Sequence, residues 1–371
     1  MRRYPMVWMA AVGLYALCAA HAPLAAAQAA DVAEGAWIDL FDGETLFGWT
    51  RMGDGAWQVE DGTLAARSGF GGWLASSAVF GDFELEARIR VKSGATSGIA
   101  VRAGLEGYPA DNGGAVLFLR GDDSDDWRSV RITARGAELT ATVDGEAAEL
   151  TSEGDLRPQG RIGFLYPHAN AEVEVAEARL RPLGMRSLFN GENLDGWNIL
   201  PDHRSKFAVV DGALNITDGN GQIETAELFR DFILQIEVFS NGDRLNSGVF
   251  FRGPAGVFWK GYEAQVRNEW EGDDRTRPVD FGTGGLYAIQ PARKVVSSDG
   301  EWFTMTISCV DNHMAVWVDG YLVSDFTDTR PVNTAGDAKA GYVPAAGTIH
   351  LQGHDPTTDL SFRNIHIQTY P

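Results

Sequence analysis

The chain contains two copies of one pattern, and this internal repeat constrains its fold more than any other feature. The run W-I-D-L-F-D-G-E-T-L-F-G-W at residues 37–49 matches S-L-F-N-G-E-N-L-D-G-W at residues 187–197. Further along, S-G-I-A-V-R ends at Arg102 and S-G-V-F-F-R ends at Arg252. Similar motifs in the same order indicate a duplication, so the 371 residues predict two domains of one fold.

Short runs of alternating apolar and polar residues predict an all-β structure for both copies. Phe83 to Val91 and Ile233 to Val238 alternate with the period of two that is typical of half-buried strands. Asp-Gly pairs such as Asp319-Gly320 stand between such runs, where tight hairpins need residues with positive φ. We therefore expect two tandem antiparallel β-sandwich domains, over residues 35–183 and 186–371.

The second copy carries about 25 residues that the first copy lacks. The copies are separated by 150 residues at Arg102 and Arg252, but by 175 residues at Trp127 and Trp302. The additional segment therefore lies between Arg252 and Trp302, and it includes the motif Y-E-A-Q at residues 262–265. Long loops on a rigid sheet scaffold often carry binding and catalysis, so we expect the second copy to hold the site.

Residues 1–29 match a secretory signal peptide. Two arginines precede an apolar run, and small residues follow, which predicts cleavage near Ala27 or Ala29. A transmembrane anchor is the alternative, but His21 and Pro23 interrupt the run and leave it short for a bilayer. We expect an exported protein, either periplasmic or secreted.

Charge and cysteine usage narrow the possible partners and the redox chemistry. Lys and Arg number 31 against 51 Asp and Glu, a net charge of −20, which argues against a nucleic-acid partner and against membrane binding after signal removal. Loss of the signal would remove Cys18 and leave Cys309 without a disulfide partner. Cys309 alternates with Met305 and Ile307, which predicts a buried strand residue rather than a nucleophile. The oligomeric state is not indicated.

A series of motifs covers nearly all of the second copy and carries a family likeness. They are L-F-N-G-E-N-L-D-G-W (188–197), V-D-G-A-L (210–214), N-S-G-V-F-F-R-G (246–253), G-Y-E-A-Q (261–265), G-G-L-Y (284–287) and G-T-I-H-L-Q-G-H (347–354). With these motifs the second copy resembles the 3-keto-disaccharide hydrolase family, also described as a 3-keto-α-glucoside 1,2-lyase and 3-keto-2-hydroxyglucal hydratase domain. The resemblance implies a concanavalin A-like jelly-roll fold and a keto-sugar substrate. The first copy looks like a diverged relative that retains only the scaffold motifs.

The reaction that the resemblance implies has clear chemical needs. A ketone at carbon 3 of a sugar acidifies the proton on carbon 2, so a base can remove it while an enolate develops. Elimination then breaks the bond at carbon 1, and water adds to the resulting glucal. Such a site needs a general base, a group that holds the enolate oxygen and a proton source for the leaving group.

The candidate residues for this chemistry belong to the second copy. Catalytic candidates are Glu263, His354 and His350 for proton transfer, and Arg252 for holding oxygens; substrate-binding candidates are Asn246, Ser247, Tyr262, Gln265, Trp270, Tyr287 and Gln352. Each has a structural alternative: Glu263 as a surface carboxylate, for example, or a histidine without a catalytic role. Arg252 also has a counterpart in the first copy, which suggests that part of its role is structural.

Departures from the family pattern leave a second function open. Asn268 stands where the family usually has Asp, which removes a carboxylate and favours a non-catalytic, lectin-like carbohydrate-binding protein as the alternative. The retained Y-E-A-Q and L-Q-G-H motifs favour the enzyme. No cofactor is certain, and the chain lacks H-E-x-x-H and paired cysteine ligands, so a divalent metal stays an open question.

Overall fold

The computed structural model describes residues 32–124, 126–169 and 171–371, and the described residues form one compact unit. The predicted signal peptide, with Cys18, lies outside them. Within these ranges no helix has the length and apolarity needed to cross a membrane.

Strands provide almost all of the regular structure before residue 184. They are β1 (Val32–Ala33), β2 (Ile38–Asp39), β3 (Trp49–Gly53), β4 (Trp57–Glu60), β5 (Thr63–Ala66), β6 (Gly72–Ser76), β7 (Phe83–Val91), β8 (Thr96–Ala103), β9 (Ala115–Arg120), β10 (Arg128–Arg135), β11 (Glu138–Val143), β12 (Glu146–Ala148), β13 (Arg161–Tyr166) and β14 (Val173–Pro182). A short 3-10 helix, Pro109–Asn112, precedes β9.

The remainder of the chain repeats this arrangement with a longer connection in the middle. Its strands are β15 (Met185–Ser187), β16 (Trp197–Ile199), β17 (Lys206–Val210), β18 (Ala213–Thr217), β19 (Gly221–Thr225), β20 (Phe232–Ser240), β21 (Ser247–Gly253), β22 (Tyr262–Val266), β23 (Trp302–Val310), β24 (His313–Val318), β25 (Tyr321–Thr327), β26 (Thr348–Gly353) and β27 (Asp359–Thr369).

Each half is a sandwich of one large and one small antiparallel sheet. In the first half the large sheet has the order β12-β11-β10-β7-β14-β5-β4, with β2 beside β14, and the small sheet has the order β3-β6-β13-β8-β9. In the second half the large sheet has the order β1-β15-β27-β20-β23-β24-β25, with β18 beside β27 and β17 beside β18, and the small sheet has the order β16-β19-β26-β21-β22. The prediction of an all-β protein with two tandem sandwiches is confirmed.

The duplication extends to backbone detail. Arg102 and Arg252 both adopt left-handed conformations, with φ of 52° and 54°. Both guanidinium groups are buried, and they form ion pairs with Asp82 and Asp231 at 2.8 and 3.0 Å. The register of each small sheet shifts beside these arginines. A buried arginine and a β-bulge thus occur at equivalent positions in the two sandwiches.

The two halves share side-chain contacts. The ring of Trp317 lies 6.3 Å from that of Phe80, and its indole N–H donates to the carbonyl of Asp39 at 3.1 Å. Arg293 forms an ion pair with Asp42. β1 pairs with β15 and so joins the large sheet of the second half.

Cys309 lies in the core of the second half on β23 and is free. Burial raises the pKa of its thiol to about 12, so the thiol stays protonated and unreactive at neutral pH. The prediction of a buried strand cysteine is confirmed.

Candidate functional site

The outer face of the small sheet of the second half is polar and yet buried. Along β19, β26, β21 and β22 every second residue points into the core of the sandwich, as the two-residue period of a strand requires. The residues that alternate with them, on the opposite face, are Gln222, Glu224, Thr348, His350, Gln352, Gly248, Phe250, Glu263 and Gln265. We call this set the polar face.

The polar face is arranged in two rows across the sheet. In one row Glu224 lies opposite His350, and Phe250 separates His350 from Glu263. In the other row Gln222 lies opposite Gln352, and Gln265 lies opposite Gly248. The rows bring side chains from β19, β26 and β22 together although they are far apart in sequence.

Five buried polar atoms on this face have no hydrogen-bond partner among the residues that the structure describes: Gln222 Nε2, Glu263 Oε2, Gln265 Oε1, His350 Nδ1 and Gln352 Oε1. Buried polar atoms are rarely left unpaired, because each costs about 1–3 kcal/mol when it loses water without gaining a partner. A set with one amide donor, two amide acceptors, a carboxyl oxygen and an imidazole nitrogen suits a ligand whose groups both donate and accept, as hydroxyl groups do.

Glu263 is a buried carboxyl group with a strongly perturbed pKa. Burial raises its pKa to about 8, against the lowering influence of the Lys339 ammonium and of a hydrogen bond from the Trp259 side chain, while Asp280 contributes a further increase. Its carboxyl lies over Gly248, where a Cβ would come within 2.5 Å of Oε1. Glu263 is therefore largely protonated at neutral pH and can donate a proton.

His350 has the opposite character. Its Nε2 lies 2.5 Å from Thr348 Oγ1 and 3.5 Å from the Glu224 carboxylate, and both oxygens can accept a hydrogen bond. This environment favours the tautomer with hydrogen on Nε2, which leaves a lone pair on the unpartnered Nδ1. Burial lowers the pKa of His350 to about 4, so the ring is neutral at pH 7 and can accept a proton.

Gln265 connects the polar face to the additional segment of the second copy. Its Nε2 donates to Asp280 Oδ2 at 3.1 Å and to Asn246 Oδ1 at 3.3 Å, and Asn246 Nδ2 donates to the same Asp280 oxygen at 3.0 Å. Asp280 and Phe281 have φ of 49° and 69°. Tyr287 packs on Phe281, and its backbone N–H donates to the carbonyl of Glu263 at 2.9 Å.

Two segments, 254–261 and 333–339, cover the polar face. Gly256 N–H donates to both oxygens of the Glu224 carboxylate at 3.0 Å, and Trp259 N–H donates to Gln222 Oε1 at 2.8 Å. The second segment is attached to the first by an ion pair between Lys260 and Asp337. Side chains of the small sheet thus fix the position of the segments that cover it.

The small sheet of the first half has the same scaffold but lacks these polar side chains. Strand register places Ala75, Gly163 and Val116 where the second half has Glu224, His350 and Glu263. Trp73 and Leu165 likewise stand in place of the paired Gln222 and Gln352. Trp73, Ala75, Val116 and Leu165 belong to a separate apolar cluster. Only the second half presents a polar face.

Several predicted site residues lie elsewhere in the scaffold. Arg252 is directed at Asp231 and at backbone carbonyls, and the first half has the same arrangement without a polar face. Ser247 donates to the carbonyl of Gln352 at 2.6 Å, as its counterpart does in the first half. Tyr262 is directed into the core and donates to Asp328 at 2.7 Å. The structure thus places these three side chains in supporting positions away from the cluster.

His354 and Trp270 also lie apart from the polar face. His354 is exposed beyond the end of β26, where it lines a surface pocket of about 460 Å³ and lies 3.5 Å from the Asp355 carboxylate. Trp270 is half-buried in the additional segment, where the Arg275 guanidinium lies 4.1 Å from its ring centre. The sequence grouped both with Glu263, but the fold separates them from it.

Asn268 does not belong to the polar face. Its Oδ1 accepts hydrogen bonds from Thr283 and Ser297, each at 2.6 Å, and its Nδ2 donates to Asp299 at 3.0 Å. The residue therefore connects parts of the additional segment, and the structure does not place its side chain among the proton-transfer candidates.

Sequence reasoning missed Gln222, Glu224, Thr348, Asp280 and Lys339. Gln222 and Glu224 alternate in G-Q-I-E-T, and comparison with G-W-L-A-S of the first copy would have revealed two apolar-to-polar exchanges. Nothing in the sequence indicated that the other three lie near Glu263. Among the described residues no group of three or more His, Cys, Asp or Glu side chains is placed to hold a metal ion.

The fold defines a tandem β-sandwich protein, and its second half carries a buried polar face. A family model for the 3-keto-alpha-glucoside-1,2-lyase-like domain matches residues 36–181 and again residues 184–368. The chain therefore belongs to this family and contains two copies of its domain, as the resemblance predicted.

Three solved structures are each similar to about half of the chain. A candidate glycosyl hydrolase from Parabacteroides distasonis is 24% identical, with a TM-score of 0.41, and covers 50% of this chain and 99% of its own. A second one from the same organism is 20% identical, with the same TM-score of 0.41, and covers 50% of this chain and 94% of its own. The carbohydrate binding module CBM66 from Bacillus subtilis is 17% identical, with a TM-score of 0.35, over 48% of this chain and 98% of its own. No curated protein matches significantly.

Proposed function

We propose that the second half cleaves 3-keto-glycosides by elimination followed by hydration. The observation that carries this proposal is the placement, on one buried face, of the Glu263 carboxyl and the His350 imidazole, whose pKa values burial shifts in opposite directions. Enzymes that move protons commonly separate the pKa values of two neighbouring groups in this way. The unpartnered amide atoms of Gln222, Gln265 and Gln352 supply hydrogen bonds for sugar hydroxyls.

In the first step Nδ1 of His350 removes the proton from carbon 2, and the electron pair forms an enolate with the ketone at carbon 3. Collapse of the enolate restores the ketone, creates the double bond between carbons 1 and 2 and breaks the bond from carbon 1 to the leaving oxygen. Glu263 gives its proton to that oxygen. Glu224 and Thr348 hold the imidazole by its other nitrogen and so act as positioning residues.

In the second step water adds to the glucal. The Glu263 carboxylate takes a proton from the water that attacks carbon 1, and the imidazolium of His350 returns a proton to carbon 2. Both groups regain their starting protonation, so the two steps add up to hydrolysis without a net change in the protein. The ammonium of Lys339, which acts electrostatically on Glu263, is available to stabilise negative charge in either step.

The experiment that tests this function follows p-nitrophenol release from p-nitrophenyl 3-keto-glucoside in D₂O. Elimination moves the proton of carbon 2 to His350, so the product should carry deuterium at carbon 2 once the His350 imidazolium has exchanged its proton with D₂O, whereas direct displacement at carbon 1 would leave that position unlabelled. His350→Gln should lower kcat for this substrate by about 100-fold or more, and Glu263→Gln should do so for phenyl 3-keto-glucoside, whose leaving oxygen needs a proton. His354→Ala is the matched control and should retain activity.

The alternative, a lectin-like protein that binds sugars without cleaving them, makes a different prediction for the same assay. Binding of the keto-glucoside without release of p-nitrophenol would support it and contradict the enzyme. We also propose export of the mature chain, which fractionation of cells that produce the full sequence would test.

A further inference from the structure

Trp259 is a large, exposed aromatic residue at the polar face to which the proposed chemistry gives no role. Its side chain is 43% exposed, although the polar face beneath it is buried. It lies in the segment 254–261, which covers that face, and its ring contacts the ammonium of Lys339, whose charge also acts on the Glu263 carboxyl. Trp259 therefore lies between the proton donor and the solvent.

The protein holds this side chain in an unfavourable backbone conformation. Trp259 has φ of 58°, in the left-handed region that bulky residues rarely adopt. Its N–H donates to Gln222 at 2.8 Å, and its carbonyl accepts from Lys339 Nζ at 3.3 Å. Strained residues that their surroundings hold in place are concentrated at functional sites, which makes a role in ligand binding the natural explanation.

One face of the indole ring is already occupied. Lys339 Nζ lies 4.2 Å from the ring centre, in a cation–π contact. The exposed area therefore belongs mainly to the edge and the opposite face of the ring. A flat apolar face at the edge of a polar site suits the face of a sugar ring or an aryl ring.

We propose that Trp259 is the stacking surface for the leaving group and makes the enzyme selective for ring-bearing leaving groups. The proposal rests on the proposed function in one respect, since the role of Glu263 as proton donor places the leaving oxygen beside this tryptophan. A second sugar or an aryl group stacks on the indole, whereas a methyl group does not reach it.

Binding measured by calorimetry with unoxidised phenyl and methyl glucosides tests the inference without requiring turnover. The wild-type protein should bind the phenyl glucoside about 3- to 10-fold more tightly than the methyl glucoside, a typical range for one aromatic stacking contact. Trp259→Gly should abolish the difference, and Trp259→Phe should restore part of it. Trp270→Ala is the matched control, because it removes the other tryptophan of this region, and should leave the difference unchanged.

The glycine variant separates a binding role from a structural one. Glycine adopts positive φ without strain, so Trp259→Gly should keep or raise the melting temperature while it loses the preference. A wild-type protein that does not distinguish the two glucosides, including one that binds neither, would overturn the inference. So would a Trp259→Gly protein that retains the preference.

Turnover distinguishes failure of this inference from failure of the proposed function. Cleavage of phenyl and methyl 3-keto-glucosides with equal kcat/KM would leave the reaction established and overturn the role of Trp259. A binding preference for the phenyl compound without any cleavage would support the stacking surface and contradict the reaction.

Discussion

Glu263 and His350 lie on either side of Phe250, on strands that hydrogen-bond to the same neighbour, and burial shifts their pKa values in opposite directions. A buried carboxyl group is harder to ionise and a buried imidazole is harder to protonate, so low dielectric surroundings make one an acid and the other a base. Burial of two polar groups without hydrogen-bond partners lowers the stability of the fold. In the first half the corresponding positions are occupied by Val116 and Gly163.

Activity should depend on pH through these two groups. The reaction needs neutral His350 and protonated Glu263, so kcat/KM should rise as pH increases through about 4 and fall as pH increases through about 8. Measurement of kcat/KM for phenyl 3-keto-glucoside from pH 3 to 10 checks this, because phenoxide is a poorer leaving group than p-nitrophenoxide and needs the proton of Glu263. A profile that keeps rising above pH 9 would contradict Glu263 as the acid.

Stability should depend on pH through Glu263 as well. Its folded pKa of about 8 exceeds its ordinary value of 4.5, so its stabilising contribution is complete below pH 4.5 and is lost as pH rises through about 8. Glu263→Gln removes this titration. We expect the variant to gain up to a few kcal/mol over the wild type between pH 5 and pH 9, since each unit of pKa shift corresponds to about 1.4 kcal/mol.

Urea unfolding of both proteins at pH 5, 7 and 9 gives the comparison. Glu60→Gln on the surface of the first half is a suitable control, because its side chain is about one-third exposed. A constant difference between Glu263→Gln and the wild type at all three pH values would show that Glu263 does not titrate in this range.

At the scale of elements, β21 contributes to the site chiefly through two glycines, which have no side chains. Gly248 leaves room for the Glu263 carboxyl, which a Cβ would approach to 2.5 Å, and Gly253 leaves room for the His350 ring, which a Cβ would approach to 2.6 Å. A central strand with small residues at these two points allows long side chains from both neighbouring strands to lie across it.

Gly248→Ala should therefore impair activity more than stability. The nearest atoms to the added methyl group all belong to the flexible Glu263 side chain, which can move aside without disturbing the backbone. We expect kcat to fall at least tenfold while the unfolding free energy changes by about 1 kcal/mol or less. Kinetics and urea unfolding of the same preparation test this, and full activity would show that the position of Glu263 is unimportant.

At the scale of the whole molecule, the first half has kept the scaffold and lost the polar face. It packs against the second half: Trp317 and Leu322 of the second half belong to the hydrophobic cluster of the first. The two family domains therefore share part of their hydrophobic core.

Truncation of Trp317 should destabilise both halves together. Trp317→Ala removes a side chain that is 2% exposed, which typically costs about 3–5 kcal/mol. Because its contacts lie at the junction, tryptophan fluorescence and circular dichroism should report one coincident unfolding transition for the wild type. Trp302→Ala, which removes a half-buried ring beside Arg363, should cost less. Two separate wild-type transitions would show that the halves unfold independently.

Much of this architecture could be predicted from sequence because it depends on local patterns. The two-residue period indicated strands, the repeated motifs indicated two domains of one fold, and the offset between the copies located the additional segment. The motifs also identified Glu263, Gln265, His350 and Gln352, which alternate with core residues on β22 and β26. These properties follow from neighbours in the chain, so the sequence alone determined them.

Tertiary structure decided which polar residues share the site. Arg252 and His354 belong to the same motifs as the polar face, yet a bulge directs Arg252 to Asp231, and His354 lies past the end of its strand in solvent. Glu224 and Asp280 come close to the motif residues only through strand pairing and the return of a long loop. Such contacts depend on the three-dimensional path of the chain. The alternation of residues along a strand indicates which face of the sheet a side chain occupies, but it does not indicate which residues pack against that face.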